Sequence, residues 1–397
     1  MNINSLTSVK FTPVEASGPK IVVMGLGGGG SNAVNRMIES GMTGVTFVSA
    51  NTDAQTLKTN LAPHKVQLGP KTTRGLGAGG LPAIGEAAAE ESFRELAEIL
   101  QGADMVFLAA GMGGGTGTGS IPIAAKVSKA VGAVTIAVVT KPFSFELGRR
   151  QKNAEEGIRK LREYTDTLIV IPNDRLLSIA PKDLPLEMAF TLADDVLRQG
   201  VQGIAELVTE TGLINVDFAH IKRIMSFGGG ALMSIGAGEG INKTSDALGK
   251  ALHHPLLEEI PLTTASGIIA NFRGGDDLTF REITEAMEEL QKESQNHAEI
   301  IPGVINDPNM INRVEVILIV TGLGGIKLKD LELITESHKA TVENSRGSDF
   351  KSEPRIDSLF FEKNEPVASQ NQYEPQVNFN SNLDIPAFMR KRVLQKD

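Results

Sequence analysis

The chain has 397 residues, of which 41% are hydrophobic and 22% charged, and its formal net charge at pH 7 is −9. This composition is typical of a globular protein with room for two domains, and the acidic balance argues against nucleic-acid binding, which needs a basic face. The chain contains no cysteine, which excludes disulfides and thiolate-bound metals. Neither a signal-peptide pattern nor an apolar run long enough to span a bilayer occurs, so we expect a cytoplasmic protein without a membrane span.

Short apolar runs alternate with helical patterns over residues 20–184. Residues 31–40 and 89–100 are predicted helices, and Ser31 or Asn32 is the expected N-cap of the first. Apolar, β-branched runs predict strands at 20–25, 45–53, 105–111, 131–140 and 166–173. Strands that alternate with helices form βαβ units, so we expect an N-terminal α/β domain with a parallel sheet, after a flexible segment at 1–19.

One long helical pattern follows at 185–212 and would span roughly 40 Å. Residues 213–330 then contain strand-like runs at 266–272 and 313–322 and a helical pattern at 281–293. This mixture predicts a second, smaller α+β domain behind the helix.

Two glycine-rich stretches follow predicted strands. Residues 25–30 match G-x-G-x-x-G, and Asp53 follows the next strand, which keeps a nicotinamide-dependent dehydrogenase among the candidates. Residues 113–119 read GGGTGTG, and such a cluster lets backbone N–H groups converge on an anion, with added hydroxyl donors from Thr116 and Thr118. A dinucleotide has one pyrophosphate, so two loops favour a ligand with a longer phosphate chain. The P-loop consensus is absent.

Residues 113–119 resemble the tubulin signature, and residues 20–325 as a whole resemble the bacterial cell-division GTPases of the tubulin/FtsZ family. The resemblance implies a tubulin-like α/β fold, with a Rossmann-like parallel-sheet GTP-binding domain, a long central helix, a smaller α+β C-terminal domain and a disordered tail. It also implies GTP and GDP as ligands with Mg²⁺, and head-to-tail assembly into filaments of the mid-cell division ring.

The resemblance assigns individual residues to the nucleotide. Glu146 would contact the ribose with Arg150 nearby, and Asn173 and Asp195 would read the guanine. A carboxylate, with two acceptor oxygens, suits the two N–H donors on one edge of guanine. The phosphates would lie against Gly28, Gly29, Gly30, Ser31, Asn32, Gly113, Gly114, Gly115, Thr116, Gly117, Thr118 and Gly119.

Segments 51–55 and 75–80 resemble the family's loops that flank the nucleotide. Two residues of the nucleotide-binding pattern depart from the family. Leu81 stands where the family usually has asparagine, and the glycine that normally follows Glu146 is displaced to Gly148.

Residues 213–220, LINVDFAH, resemble the family's synergy loop, in which an asparagine and two acids polarise the water that attacks the γ-phosphate. Asn215 and Asp217 match, but His220 stands at the position of the second acid. The helix after Asp195 would carry Asp217 roughly 25 Å away, so Asp217 would act on a neighbouring subunit's nucleotide. A contact of that kind repeats into a filament. We expect His220 to slow hydrolysis without abolishing it, and filaments to live longer.

Three functions are open from the sequence. The favoured one is a self-assembling GTPase of the division ring, with its interfacial site attenuated by His220. The second is a GTP-binding, tubulin-like scaffold paralogue with weak or no hydrolysis, alone or mixed with a second paralogue. The third, a dehydrogenase, rests on residues 25–30 alone. The histidines other than His220 show no metal-ligand spacing, so no protein-held metal is expected.

The C-terminal residues differ in character from the rest. Residues 331–382 are polar and rich in Ser, Asn, Glu and Pro, which predicts a disordered linker. Apolar residues return beside a basic cluster at 383–397, a pattern typical of a docking peptide. Residues 383–392 resemble the family's peptide for membrane-tethering division adaptors, such as the actin-like FtsA, and for assembly regulators.

Overall fold

A computed structural model describes residues 18–323, apart from 147, 182, 210–212, 215, 229 and 258–260. The predicted linker at 331–382 and docking peptide at 383–397 lie outside the described residues, as does most of the predicted N-terminal segment at 1–19. Within the described part, no helix is long and apolar enough to cross a membrane.

Ten strands of the described chain form one sheet in the order β3-β2-β1-β4-β5-β6-β7-β10-β8-β9. Their bounds are β1 (Ile21–Leu26), β2 (Thr46–Asn51), β3 (His64–Gln67), β4 (Met105–Gly111), β5 (Val134–Lys141), β6 (Thr167–Pro172), β7 (Gly230–Glu239), β8 (Gly267–Gly274), β9 (Glu299–Asn306) and β10 (Arg313–Thr321). Strands β1 to β6 pair in parallel, which confirms the predicted parallel sheet. Strand β10 pairs antiparallel with β7 and β8, whereas β9 is parallel to β8.

The helices lie mostly in the connections between strands. Their bounds are α1 (Gly27–Glu39), α2 (Ala54–Thr59), α3 (Pro70–Thr73), α4 (Pro82–Glu91), α5 (Phe93–Leu100), α6 (Thr116–Ala130), α7 (Arg149–Arg162), α8 (Asn173–Ile179), α9 (Leu186–Thr209), α10 (Phe218–Met225), α11 (Lys243–Leu252) and α12 (Phe280–Glu293). The single helix predicted at 89–100 is wrong, because α4 and α5 meet at Ser92. The buried hydroxyl of Ser92 accepts a hydrogen bond from the Gly69 N–H at 3.0 Å, a contact outside the helix.

The apolar runs of β1 and β4 follow from burial on both faces of the sheet. Every residue of β1 is buried, and side chains alternate between the two faces along a strand. Ile21 and Val23 therefore pack in one hydrophobic core, which also holds much of α9, while Val22 and Met24 pack in a second core on the opposite face. A third core fills the space among β8, β10, α11 and α12.

The parallel and antiparallel parts of the sheet meet at β6 and β7. Only two residue pairs join them, Leu168 with Gly230 and Ile169 with Ala231. The long helix α9 runs from Leu186 to Thr209, inside the predicted range of 185–212. Its buried apolar residues belong to the first core, which also holds residues of β1 and β4 from the parallel part and of β8 and β10 from the C-terminal part, so α9 shares a core with both.

Candidate nucleotide site

The first glycine loop forms the opening turn of α1. The helix begins at Gly27, after the extended residue Leu26, and no side chain caps it. The predicted cap at Ser31 or Asn32 is wrong, because Ser31 is buried and its Oγ lies 2.9 Å from the Ser49 Oγ on β2. The free N–H groups of this turn are therefore directed at whatever lies in front of the helix, which suits an anion.

The second glycine loop lies beside the first, since β1 and β4 are neighbours and Leu26 pairs with Ala110. Helix α6 begins at Thr116, also without a side-chain cap. The Gly113 N–H donates to the Thr118 Oγ1 at 2.8 Å, so this hydroxyl closes the loop. Two uncapped helix N-termini thus stand side by side at the carboxyl edge of the parallel strands.

The glycines of the two loops divide into two kinds. At Gly30 a Cβ would lie 2.1 Å from the Ala109 oxygen, and at Gly27 it would lie 2.7 Å from the Gly117 nitrogen, so these glycines allow backbone to approach backbone. At Gly28 and Gly114 a Cβ would meet no protein atom within 4 Å. Gly28 and Gly114 therefore face open space, where a ligand has room.

The segment before α4 closes over the second loop. A Cβ at Gly115 would lie 2.8 Å from the Leu81 nitrogen, and Asn153 on α7 reaches the carbonyls of Gly80 and Gly113 at 3.4 and 3.3 Å. The Thr116 hydroxyl lies 2.6 Å from that of Thr52. Thr52 belongs to the predicted flanking segment 51–55, whereas Asn153 was missed by sequence reasoning, because it belongs to no motif.

Helix α9 brings Asp194 to the first loop, whereas the predicted guanine reader is the adjacent Asp195. The Asn32 side chain donates to the Asp194 carboxylate at 3.5 Å, and the Arg36 Nε lies 3.9 Å from it. Burial raises the pKa of Asp194 to about 6, and the charge of Arg36 and the Asn32 hydrogen bond oppose that rise. The site therefore holds a carboxylate that gains from any further N–H donor.

Asp195 has a different environment. Its carboxylate pairs with Arg198 one turn further along α9, with an Nε–Oδ1 distance of 2.7 Å. Arg198 lines a cleft of about 110 Å³ together with Arg273 on β8 and Glu315 on β10. The structure therefore does not bring the predicted Asp195 to the glycine loops.

Glu146 and Arg150 lie together, as the resemblance implies. The Glu146 Oε2 is 2.7 Å from an Arg150 nitrogen, and Oε1 accepts the Phe143 N–H at 2.9 Å. Asn173 opens α8, is buried, and lines a cavity of about 260 Å³ with Lys141 and Gln151. Its Oδ1 has no hydrogen-bond partner in the part of the chain that is described.

An aromatic cluster adjoins these polar groups. The Phe143 and Phe145 rings stack at 5.2 Å, and Phe190 meets both rings edge-on at 5.5 and 6.3 Å. Phe145 and Phe190 are 49% and 40% exposed, and Phe190 lies one helical turn before Asp194. Exposed aromatic faces bind flat bases by stacking. Sequence reasoning missed this cluster, although Phe145 directly precedes Glu146.

Residues 213–220, the stretch that resembles the synergy loop and is called the synergy segment below, are not a loop throughout. Helix α10 begins at Phe218, so His220 lies in the first helical turn rather than in a loop. Asp217 is the N-cap, and its Oδ1 accepts the Ala219 N–H at 3.0 Å, which fixes the carboxylate. Both Asp217 and His220 are exposed, and Asn215 lies outside the described residues. Across the described part, no cluster of three His, Asp or Glu side chains could hold a metal.

Comparison with known proteins decides the family. A model described as "Tubulin/FtsZ family, GTPase domain" matches residues 20–181, and one described as "FtsZ family, C-terminal domain" matches residues 229–324. An FtsZ dimer from M. jannaschii is 45% identical, with a TM-score of 0.75 over 78% of this chain and 90% of that one. The chain belongs to the tubulin/FtsZ family. It is therefore a GTPase, and the predicted tubulin-like fold is confirmed.

Two solved structures of lower identity share the fold alone. CetZ2 from Haloferax volcanii, a GTPγS-bound protofilament, is 18% identical with a TM-score of 0.66 over 82% of this chain and 99% of that one. CetZ1 from the same organism, a GDP-bound monomer, is 20% identical with the same TM-score and the same shares covered. Membership in the family leaves the dehydrogenase hypothesis without support.

Proposed function

We propose that this chain is a GTPase that polymerises head to tail, with each active site completed by the next subunit's synergy segment. The observation that carries the proposal is a separation within one chain. The uncapped N-terminus of α1, with that of α6 beside it, lies next to Asp194 in the first half of α9, and the exposed Asp217 follows the C-terminal end of α9. The helical residues between them rise roughly 20 Å, beyond the reach of a carboxylate side chain.

The nucleotide would be held by groups of three kinds. The phosphates would accept N–H groups from the first turns of α1 and α6, at the open faces of Gly28 and Gly114. The ribose would meet Glu146 and Arg150. The ion pair between these two side chains keeps them oriented before the ligand binds.

The base would stack on Phe190 and pair with Asp194. Guanine presents two N–H donors on one edge, which match the two oxygens of an ionised carboxylate. Asp194 is the stronger candidate than Asp195, since it contacts Asn32 at the first loop while Asp195 is paired with Arg198. The unpartnered Asn173 Oδ1 is a further acceptor for the base. Adenine would leave a partly buried carboxylate poorly paired, which disfavours ATP.

Mg²⁺ fits this arrangement although no cluster of three acidic or imidazole ligands exists among the described residues. The ion prefers oxygen, retains several waters and is usually bound through substrate phosphates with one or two protein oxygens. The paired hydroxyls of Thr52 and Thr116 beside the second loop supply such oxygens. When bound, Mg²⁺ neutralises charge that develops on the phosphates during transfer.

Hydrolysis would depend on Asp217 of the adjacent subunit, which orients the attacking water. Phosphoryl transfer requires positioning and charge stabilisation, and a fixed carboxylate supplies both. His220, in the first turn of α10, replaces a second acid of the family pattern. A carboxylate at this position would help to hold Mg²⁺ through oxygen, whereas an imidazole holds Mg²⁺ poorly. We therefore infer slower hydrolysis and longer-lived filaments. A scaffold that binds GTP with negligible hydrolysis is the alternative, and His220 is the feature that favours it.

In the cell the filament would form the cytokinetic ring in the cytoplasm at the division site. Residues 383–392, LDIPAFMRKR, would bind a membrane-tethering adaptor such as an actin-like FtsA protein, or assembly regulators. A linker such as the sequence predicts at 331–382 would let this peptide reach the adaptor without fixing the distance to the filament.

The test is phosphate release from GTP over a range of protein concentrations, with sedimentation of polymer in parallel. Negligible release below a threshold and a steep rise above it are expected, because assembly builds the site. A low rate proportional to concentration, with no threshold, would contradict hydrolysis between subunits. Polymer and GTP binding without phosphate release would support the scaffold alternative.

A further inference from the structure

We propose that edge strand β9, through Gly303, is the element that positions Asp217 for hydrolysis. Gly303 is a positioning residue, since it contacts Leu207 and Val216 and acts through the segment that carries the acid. The inference rests on the proposed function, in which Asp217 acts on the neighbouring subunit's GTP.

The backbone of the synergy segment is attached to β9. The Leu213 N–H donates to the Val304 oxygen at 2.9 Å, and Ile214 forms an antiparallel bridge with Val304. Strand β9 is the last strand of the sheet order, paired with β8 on one side. The segment therefore lies at the outer edge of β9, and this isolated bridge sets its position along the strand.

Apolar side chains on both sides of Asp217 are seated in the hydrophobic cores. Ile214 packs against the third core, and Val216 and Phe218 pack against the first core. Asp217, between two inward side chains, is exposed and caps α10. Because Val216 and Phe218 on either side of Asp217 pack against the first core and Asp217 is the N-cap of α10, its carboxylate is held at the surface.

Gly303 lies where this segment and α9 both approach β9. A Cβ at Gly303 would stand 2.1 Å from the Leu207 Cδ2 of α9 and 3.6 Å from the Val216 Cγ2. Ordinary carbon–carbon contact is roughly 3.5–4.0 Å, so the first distance is more than an ångström too short. Leu207 is buried and cannot turn into solvent. A side chain at position 303 therefore forces the Leu207 side chain to move within the core, and Val216, which contacts the same point, must adjust with it or shift the synergy segment.

A small displacement of Asp217 is expected to lower the rate of GTP hydrolysis strongly. Catalysis of phosphoryl transfer is mostly positioning, and a misplacement of 1 Å commonly costs on the order of 10²-fold in rate. GTP binding should be spared, because the residues proposed to hold the nucleotide lie at the opposite end of α9.

The experiment compares Gly303→Ala with the unchanged protein in phosphate release per sedimented subunit, alongside GTP affinity measured below the assembly threshold. We expect turnover to fall roughly 10- to 100-fold with GTP affinity unchanged. The control is Gly249→Ala on α11, the same substitution at a site where a Cβ meets nothing within 4 Å, and it should turn over GTP normally.

A double-variant cycle separates positioning from general damage. If Gly303 acts through Asp217, then Gly303→Ala added to Asp217→Ala causes no further loss of turnover. Leu207→Ala, which removes the clashing methyl, should restore part of the turnover lost in Gly303→Ala. Wild-type turnover in Gly303→Ala, or losses that multiply in the double variant, would overturn the inference. Absence of concentration-dependent turnover in the unchanged protein would instead refute the proposed function, and the inference with it.

Discussion

The raised pKa of Asp194 provides a quantitative test of which acid reads the base. In the nucleotide-free protein, burial raises this pKa to about 6. If guanine donates two N–H bonds to the ionised carboxylate, GTP binding below pH 6 must first displace a proton. The affinity for GTP should then be nearly constant above pH 7 and fall about tenfold between pH 7 and pH 5.

The same shift fixes the sign of a stability effect. The pKa of the Asp194 carboxyl is about 6 in the folded protein, compared with its ordinary value of 3.8. The folded state therefore holds this proton more tightly than the unfolded state does, and the free energy of unfolding falls as the pH rises from 3.8 to about 6. The full cost above pH 6 is on the order of 3 kcal/mol. Asp194→Asn removes this buried charge, so the nucleotide-free variant should melt at a higher temperature at pH 7.5 while binding GTP more weakly.

The assay is titration calorimetry of GTP between pH 5 and 8 at constant ionic strength, below the assembly threshold. Asp194→Asn should bind weakly at every pH and lose the pH dependence. Asp195→Asn is the matched control, since the adjacent acid is paired with Arg198, and its GTP affinity should stay normal. Weakened binding in Asp195→Asn with normal binding in Asp194→Asn would refute the assignment.

Three further substitutions test separate parts of the site. His220→Asp restores the second acid and should raise phosphate release per polymerised subunit by up to about 10²-fold, with shorter-lived filaments by light scattering; an unchanged rate would show that His220 is a neutral replacement. Gly114→Asp places a negative charge at the open face of the second loop, so GTP affinity should fall at least about tenfold while thermal stability is retained. Phe190→Ala should weaken GTP binding by about 1–3 kcal/mol, since base stacking is lost, and should weaken binding of ATP and GTP alike if stacking is its role.

The parallel half of the sheet is predictable from sequence because its strands are buried on both faces. Such strands form unbroken apolar runs, as in β1 and β4, between turns and helices that are easily recognised. The glycine loops are predictable as a pair for the same reason, since each follows one of these strands. The start of α1 at Gly27 could not be predicted from the sequence, because four successive glycines have a low helix propensity.

Several features of the site depend on partners that are remote in sequence. Asp194 and Asp195 are adjacent acids at the border of the buried face of α9, and only the packing of α1 against α9 separates their roles. Gly28 and Gly30 likewise look equivalent until the neighbouring strand places the Ala109 oxygen beside one of them. Gly303 belongs to no sequence motif, because the residues that make it necessary lie on α9 and on the synergy segment, far away in the sequence.

The central claim, that one subunit completes the site of another, is tested most directly by mixing two inactive variants. Asp217→Ala retains the nucleotide loops but lacks the acid, and Gly114→Asp retains Asp217 but binds GTP poorly. Each alone should release little phosphate, whereas an equimolar mixture should regain activity wherever an intact Asp217 meets a loaded neighbour. Recovery of phosphate release in the mixture is the predicted result. If the mixture is no more active than its components while both variants sediment together, the site lies within one subunit and the account is wrong.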